Sequence, residues 1–216
     1  MKSSFVYNPP TEPWLSILYK DKDMLIVDKP SGLLSIPGKE HHDSVLTRVL
    51  HTEPHAYAVH RLDMDTSGLL IIALRKKAEK ALMEAFRLRK VHKRYVALVD
   101  GILSTQEGEI TAPLSRREGH PPRSFVDQQN GKEARTRYAV LNHEGECTRL
   151  ELFPYTGRSH QLRVHLLHIG HPIVGDRFYN HTENEQEKRL MLHAQQVSFP
   201  HPYHGRDCFF ESSVPF

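Results

Sequence analysis

The run LLIIAL at residues 69–74 is the longest uninterrupted apolar stretch of this chain, and it limits the fold from two sides. Six residues are far short of the roughly 20 needed to cross a bilayer. They match the length of a strand, and the branched Ile71 and Ile72 suit one buried on both faces. Directly afterwards KKAEKALMEAFRLRK switches to helical spacing, with Ala78, Leu82, Ala85 and Phe86 on one face and charges opposite.

Both kinds of element recur. Residues 15–19 and 24–28 read as a hairpin turning through 20–23, KRYVALVDG as a further strand, and residues 136–141 and 148–153 as an antiparallel pair around NHEGE. LMLHAQQVSF and DCFFESSV supply more short strands. A short helix is expected over residues 44–50, with Val45, Leu46, Val49 and Leu50 on its apolar side. Another starts near Ser159, with Leu162, Leu166 and Ile169 on one face, Gly170 placed to cap it and Pro172 to stop it. Residues 103–133, rich in Gly, Pro, Arg and Glu, read as a long excursion with room for a hairpin. A regular strand-helix alternation is missing, so the expected class is α+β, a mainly antiparallel mixed sheet with a few flanking helices.

At 216 residues and 38% hydrophobic content the chain can bury a sizeable core. The expected organisation is an N-terminal arm at residues 1–14, where Pro9, Pro10 and Pro13 interrupt any helix, followed by a single domain at 15–216. The arm lacks the apolar stretch of a signal peptide. Cys147 and Cys208 lie far apart with no C-x-x-C spacing, which suggests neither a disulfide framework nor a zinc ribbon. A cytoplasmic protein without a membrane partner is expected. Lys and Arg together number 29 against 26 Asp and Glu, a balance that allows a nucleic-acid partner without requiring one.

The segment that most invites chemistry is HRLDMDTSG, residues 60–68, with Asp63 and Asp65 two positions apart. As a turn, it would use Asp63, Asp65, Thr66 and Ser67 to hydrogen-bond the backbone just ahead of LLIIAL. As an acid and base pair of glycosidase type, it would exploit the roughly 6 to 7 Å that separates residues i and i+2 on one side of an extended chain, a spacing any such pair has. D-x-D followed by Thr and Ser is also similar to the nucleophile loop of haloacid-dehalogenase-like phosphatases. There, however, the apolar strand precedes the pair, whereas here AYAVHRL precedes and LLIIAL follows. A magnesium site would need more carboxylates, and GDRFYN offers only Asp176, with Asn180 where a second acid is wanted.

Four blocks in order, KPSG at 29–32, HRLDMDTSG at 60–68, KRYVAL at 93–98 and TGRSHQLRVH at 156–165, resemble the RluA family of pseudouridine synthases. The similarity extends from the arm NPPTEPWLSILY to the last strands, and the arm is similar to that of the shorter members; longer ones often carry an S4-like RNA-binding domain in front, for which this chain has no room. The resemblance implies the pseudouridine synthase fold with a central RNA-binding cleft. It also implies isomerisation of a specific uridine to pseudouridine in structured RNA, a stem-loop of large-subunit ribosomal RNA, transfer RNA or both. It places Asp63 at the catalytic aspartate, Arg61 at the arginine that helps push the target nucleotide out of the stack, Tyr95 at the tyrosine that packs on the flipped base, and Arg163 at the basic residue paired with the catalytic carboxylate. Asp65 falls on a variable position and receives no role.

That chemistry breaks the bond from N1 to the ribose, rotates the uracil and reattaches it through C5, with no redox change. No cofactor is expected, in keeping with the lack of a Gly-rich phosphate loop or metal motif. It needs an ionised carboxylate, which a neighbouring guanidinium favours. Flipping costs a few kcal/mol of stacking and pairing, and an aromatic cover returns roughly 1 to 3 kcal/mol. Arg87, Arg89, Lys90, Lys93, Arg94, Arg116, Arg117 and Arg123 read as solvated charges or, for an RNA enzyme, as phosphate contacts. Of His160, His165, His168 and His171, only His165 and His168 have helical ligand spacing; no metal is expected, and all four are read as polar-face or RNA-facing residues. Two rival readings stay open: a metal-dependent phosphohydrolase using Asp63 and Asp65, and an RNA-binding protein without catalysis. No obligate protein partner is evident, and a monomer is expected.

Overall fold

The computed structural model describes residues 7–117, 119, 123–180 and 189–216. The chain divides into two units, Met1–Val91 with Ser198–Ser212 and His92–Val197 with Ser213–Phe216. The first six residues of the expected arm lie outside the described residues.

The first unit opens with β1 (Ser16–Lys20) and β2 (Met24–Lys29), the predicted hairpin. Its turn is fixed by Asp21, whose Oδ1 accepts from the backbone N–H groups of Asp23 and Met24 at 2.7 and 2.8 Å. Next come α1 (Val45–Leu50), β3 (Tyr57–Ala58), β4 (Ser67–Ala73) and α2 (Lys76–Arg87). LLIIAL forms the body of β4, and all seven of that strand's residues are buried. β2 runs antiparallel to β4 in a register from Met24 opposite Ala73 to Lys29 opposite Gly68. The end of β2 therefore lies beside the start of β4, and the loops that follow one and precede the other are neighbours.

The first helix begins one residue later than expected. Ser44 is its N-cap, exchanging capping-box hydrogen bonds with Thr47. Its buried residues are Val45, Arg48 and Val49, whereas Leu50, placed on the apolar side from sequence, is exposed. Arg48 takes the inner position because its Nε and Nη2 meet the Asp43 carboxylate at 2.8 Å each, its Nη1 donates to the Trp14 carbonyl at 2.8 Å, and its guanidinium covers the Trp14 ring at 4.2 Å. The described part of the arm is held by the same cluster. The Tyr7 hydroxyl donates to the Asp43 carbonyl at 2.8 Å and accepts from Leu34 N–H at 3.0 Å.

The second unit contains β5 (His92–Asp100), β6 (Glu107–Thr111), β7 (Leu114–Arg117), β8 (Arg123–Val126), β9 (Arg135–Glu144), β10 (Cys147–Pro154) and α3 (Gln161–His168). β5, β10, β9 and β6 lie side by side in that order, antiparallel throughout. β11 (Leu192–Pro200) carries the chain back to the first unit, where its last residues and β12 (Asp207–Glu211) belong. The long excursion resolves into β6, which joins β9, and the separate hairpin of β7 and β8. Leu114 and Ala134 pack with Val164 of α3 and Tyr179, partners more than twenty residues away, so no local pattern marks the hairpin. Every pairing whose register is described is antiparallel, and three helices accompany the strands among the described residues, which makes the fold α+β.

The Arg48 hydrogen bonds hold the Asp43 carboxyl below the usual carboxylate range. A depressed folded-state pKa gives stability that is present above the unfolded value and lost as pH falls through the folded one. Breaking a fully buried pair costs about 3 to 5 kcal/mol, and exposure of part of the Asp43 side chain reduces this to about 2 kcal/mol. Asp43→Asn is expected to lower urea-unfolding stability by that amount near pH 7. The gap to wild type should narrow as pH falls below the ordinary aspartate pKa and close once it has passed the lowered folded value.

Candidate active site

The antiparallel register of β2 and β4 sets residues 29–35 against residues 60–66, and a buried ammonium joins them. Lys29, fully buried, donates from Nζ to the carbonyls of Pro30 at 2.8 Å, Leu33 at 2.7 Å and Met64 at 2.8 Å. Three acceptors match the three donors of an ammonium, the condition for burying that charge. The stitching continues on both sides. Gly32 N–H donates to the Met64 carbonyl at 2.9 Å, the Ser31 hydroxyl to the Asp65 carbonyl at 2.7 Å, and the Ser35 hydroxyl to the Leu62 carbonyl at 2.8 Å while accepting from Leu62 N–H at 2.9 Å. Gly32 has φ of +86°, a conformation that glycine adopts without strain. KPSG is one of the four blocks of the resemblance, which gives Lys29 itself no role. The signal for its burial is a lysine closing the strand MLIVDK, just beyond its apolar run.

Asp63 and Asp65 flank the anchored Met64, and each is partly buried. The Asp63 carbonyl accepts from Thr66 N–H at 3.2 Å, closing a turn. Upstream, His60 Nε2 accepts from Ile71 N–H at 2.9 Å, which fixes that nitrogen as the unprotonated one and ties the entry of the loop to β4. Arg61, between His60 and the buried Leu62, is exposed. The turn reading and the catalytic reading of this segment are thus compatible: backbone groups build the turn and the acids ride on it.

Tyr95 and Arg163 belong to the second unit. Tyr95 is buried on β5, in register with Leu152 of β10 and, one strand further, Tyr138 of β9. Arg163 projects from α3 into a buried ion pair. Its Nε and Nη2 each meet a carboxylate oxygen of Asp176 at 2.7 Å, and its guanidinium lies 5.2 Å from the Phe178 ring and 5.1 Å from the Tyr179 ring. Asp176 Oδ1 also accepts from the N–H groups of Phe178 and Tyr179 at 3.0 and 3.2 Å. The acid weighed from sequence as a magnesium ligand is therefore a partner of Arg163.

α3 is held by further buried polar groups. Gln161 Oε1 accepts from the Thr156 hydroxyl and Arg158 N–H at 2.7 and 3.0 Å, while its Nε2 donates to the Arg135 carbonyl and Thr136 Oγ1 at 3.1 and 2.9 Å. His165, read as a polar-face residue, is fully buried. Its Nε2 donates to the Ala112 carbonyl at 3.0 Å and its Nδ1 meets Thr136 Oγ1 at 2.9 Å, and burial pushes its pKa down. His160 is the N-cap in left-handed conformation, with Nδ1 2.7 Å from the Tyr179 hydroxyl, and His171 Nδ1 lies 2.8 Å from the Asp100 carbonyl. Among the described residues, Asp21, Asp23 and His201 have potential ligand atoms within 4.8 Å of one another. Asp21 Oδ2 accepts from His201 Nε2 at 2.7 Å and Asp23 pairs with Arg75, so both acids already have partners within the protein.

The sequence profile described as RNA pseudouridylate synthase matches residues 23–168. Dual-specificity RNA pseudouridine synthase RluA of Escherichia coli (strain K12) is 48% identical over 214 residues, covering 97% of this chain and 98% of that protein. Its namesake in Yersinia pestis is 48% identical over 204 residues, 93% and 99% of the two chains. Among solved structures, human RNA pseudouridylate synthase domain containing 1 superposes with a TM-score of 0.79 at 29% identity, covering 100% of this chain and 87% of that one, and human RNA pseudouridylate synthase domain containing 4 with 0.72 at 27%, covering 93% and 88%.

Two substitutions test the buried charges. Lys29→Met takes the ammonium donor from the Pro30 and Leu33 carbonyls and one of two donors from Met64, and is expected to cost about 3 kcal/mol or more in urea unfolding. Asp176→Ala removes the bidentate partner of the buried Arg163 guanidinium and is expected to cost about 3 kcal/mol, read as a fall in thermal midpoint.

Proposed function

This chain belongs to the RNA pseudouridylate synthase family, and on that premise we propose that its targets are uridines in large-subunit ribosomal RNA and in the anticodon stem-loop of transfer RNA. The enzyme is an RNA pseudouridine synthase. The observation that carries the target reading is 48% identity across 97% of the chain to enzymes named for dual specificity. The phosphohydrolase and non-catalytic readings gain no support from these relatives. The protein is proposed to work as a monomer in the cytoplasm, as one catalytic domain behind its arm. No helix among the described residues is long and apolar enough to cross a membrane.

The reaction exchanges one bond for another: N1–C1′ breaks, C5–C1′ forms, and the C5 proton leaves while N1 gains one. Its barrier lies in separating the base from the ribose, which a carboxylate can assist by covalent attack or by stabilising positive charge on the sugar. Asp63 is assigned that role. The support for it is its place in HRLDMDTSG, on a loop whose backbone Lys29, Ser31, Gly32 and Ser35 fix. A carboxylate on a rigid turn keeps its orientation while the base rotates, and orientation of reacting groups contributes strongly to rate.

Arg163 is assigned to keep Asp63 ionised. The support is the motif position together with the Asp176 pair, which fixes Nε and Nη2 and so sets the plane of the guanidinium. Tyr95 is assigned to cover the flipped uracil, and Arg61, exposed beside the loop, to take the vacated space in the RNA stack. A stem-loop is the preferred substrate because an unpaired base costs least to extrude.

Release of tritium from C5-labelled uridine tests the assignment. Asp63→Asn is expected to reduce release about a thousandfold or more, with Asp65→Asn within about threefold of wild type. Retention of release by Asp63→Asn sinks the catalytic assignment. Loss in Asp65→Asn alone transfers it to the other acid.

A further inference from the structure

Lys93 stands two residues before Tyr95 on β5, so the two side chains share a face of the strand, with α-carbons about 7 Å apart. It is only partly exposed, and a methyl built on Gly157 would lie 4.0 Å from its Nζ. Gly157 and Arg158 are both exposed, so the ammonium ends where the surface begins. Among the described residues Lys93 makes no ion pair, whereas the adjacent Arg94 pairs with Glu151. Burial pushes the Lys93 pKa below the ordinary lysine value, with no acidic neighbour to oppose it.

The surroundings are rigid and electropositive. Gln161 locks residues 156–158 through Thr156 and Arg158. α3 starts just beyond, with no side-chain cap from His160, so its positive end is not offset by a capping oxygen. A half-buried ammonium has lost part of its hydration. A full opposing charge compensates that loss far better than the partial charge of a base carbonyl.

We propose that Lys93 binds a backbone phosphate of the substrate RNA at the Gly157 surface, next to the nucleotide whose base Tyr95 covers. The inference rests on the reading of Tyr95 as the base cover, and it adds a contact that anchors the strand while the base is out of its stack. Phosphate contacts carry no sequence information, so Lys93 serves every RNA the enzyme modifies.

The test is the salt dependence of binding to an anticodon stem-loop RNA and to a large-subunit ribosomal RNA fragment. Lys93→Gln is expected to weaken binding about tenfold at low salt and to reduce the slope of log Kd against log salt by about 0.7 to 0.9, while Lys93→Arg keeps the wild-type slope. In tritium release, Lys93→Gln should raise KM and leave kcat within about threefold. A second arm needs no variant: wild type binding RNA with neutral methylphosphonates flanking the target uridine should lose the same slope, and Lys93→Gln should lose nothing further on that RNA. An unchanged slope in Lys93→Gln, or an equal additional loss on the neutralised RNA, overturns the proposal. Failure of the target reading shows separately, as absence of tritium release by wild type on either RNA, because the phosphate slope is read whether or not the RNA is turned over.

Discussion

A lysine ammonium at zero exposure is tolerable only when every donor finds an oxygen, and at Lys29 the oxygens are main-chain carbonyls from two loops. That requirement ties the end of β2 to the segment that leads into β4. It is met because the strands pair with Lys29 opposite Gly68, and a shift by one residue would turn the ammonium to the other face of the sheet. Hydrophobic pairing of MLIV with LLIIA sets the register, the register sets the lysine, and the lysine sets the turn bearing Asp63. Ser31, Gly32 and Ser35 then hold the carbonyls of Asp65, Met64 and Leu62, leaving the backbone of the loop that carries Asp63 little freedom.

The second unit solves a similar problem with α3. Six consecutive residues of that helix are buried, among them Gln161, Arg163 and His165, so it has no water-facing stripe over most of its length. Each of those side chains meets a specific partner: Thr156, Arg135 and Thr136 for the glutamine, Asp176 for the arginine, Ala112 and Thr136 for the histidine. Buried polar groups of this kind are costly when half satisfied and rigidifying when fully satisfied. The Asp176 carboxylate is itself fixed by two backbone N–H groups, so Arg163 is presented in one plane.

An isomerisation without redox change asks a protein for an ionised acid, a place for an extruded base and a grip on the RNA backbone. The first and last depend on charge in partly desolvated positions, where partners decide whether a group stays charged. Lys29, Arg48 and Arg163 have partners inside the protein, and each is structural at least in part. Lys93 makes no ion pair with the described residues although it is only partly exposed, and that combination is what the proposal of a phosphate ligand rests on.

Local patterns in the sequence determined the hairpin of β1 and β2, the buried β4, α2 and its Ala78, Leu82 and Ala85 face, the antiparallel β9 and β10, and the α+β class, because each rests on periodicity or turn residues within a short window. The proposal that Asp63 rather than Asp65 is the reacting acid rests on the motif resemblance alone. Tertiary structure alone decided that Arg48 points inward while Leu50 faces water, that His165 is buried, that Asp176 belongs to Arg163, and that the excursion holds a strand and a hairpin. The physical reason is common to all four. A charged or polar side chain is buried when a partner waits for it, and here the decisive partners, Trp14 for Arg48, Ala112 for His165, Asp176 for Arg163 and α3 for the hairpin, lie at distances along the chain that no local pattern records.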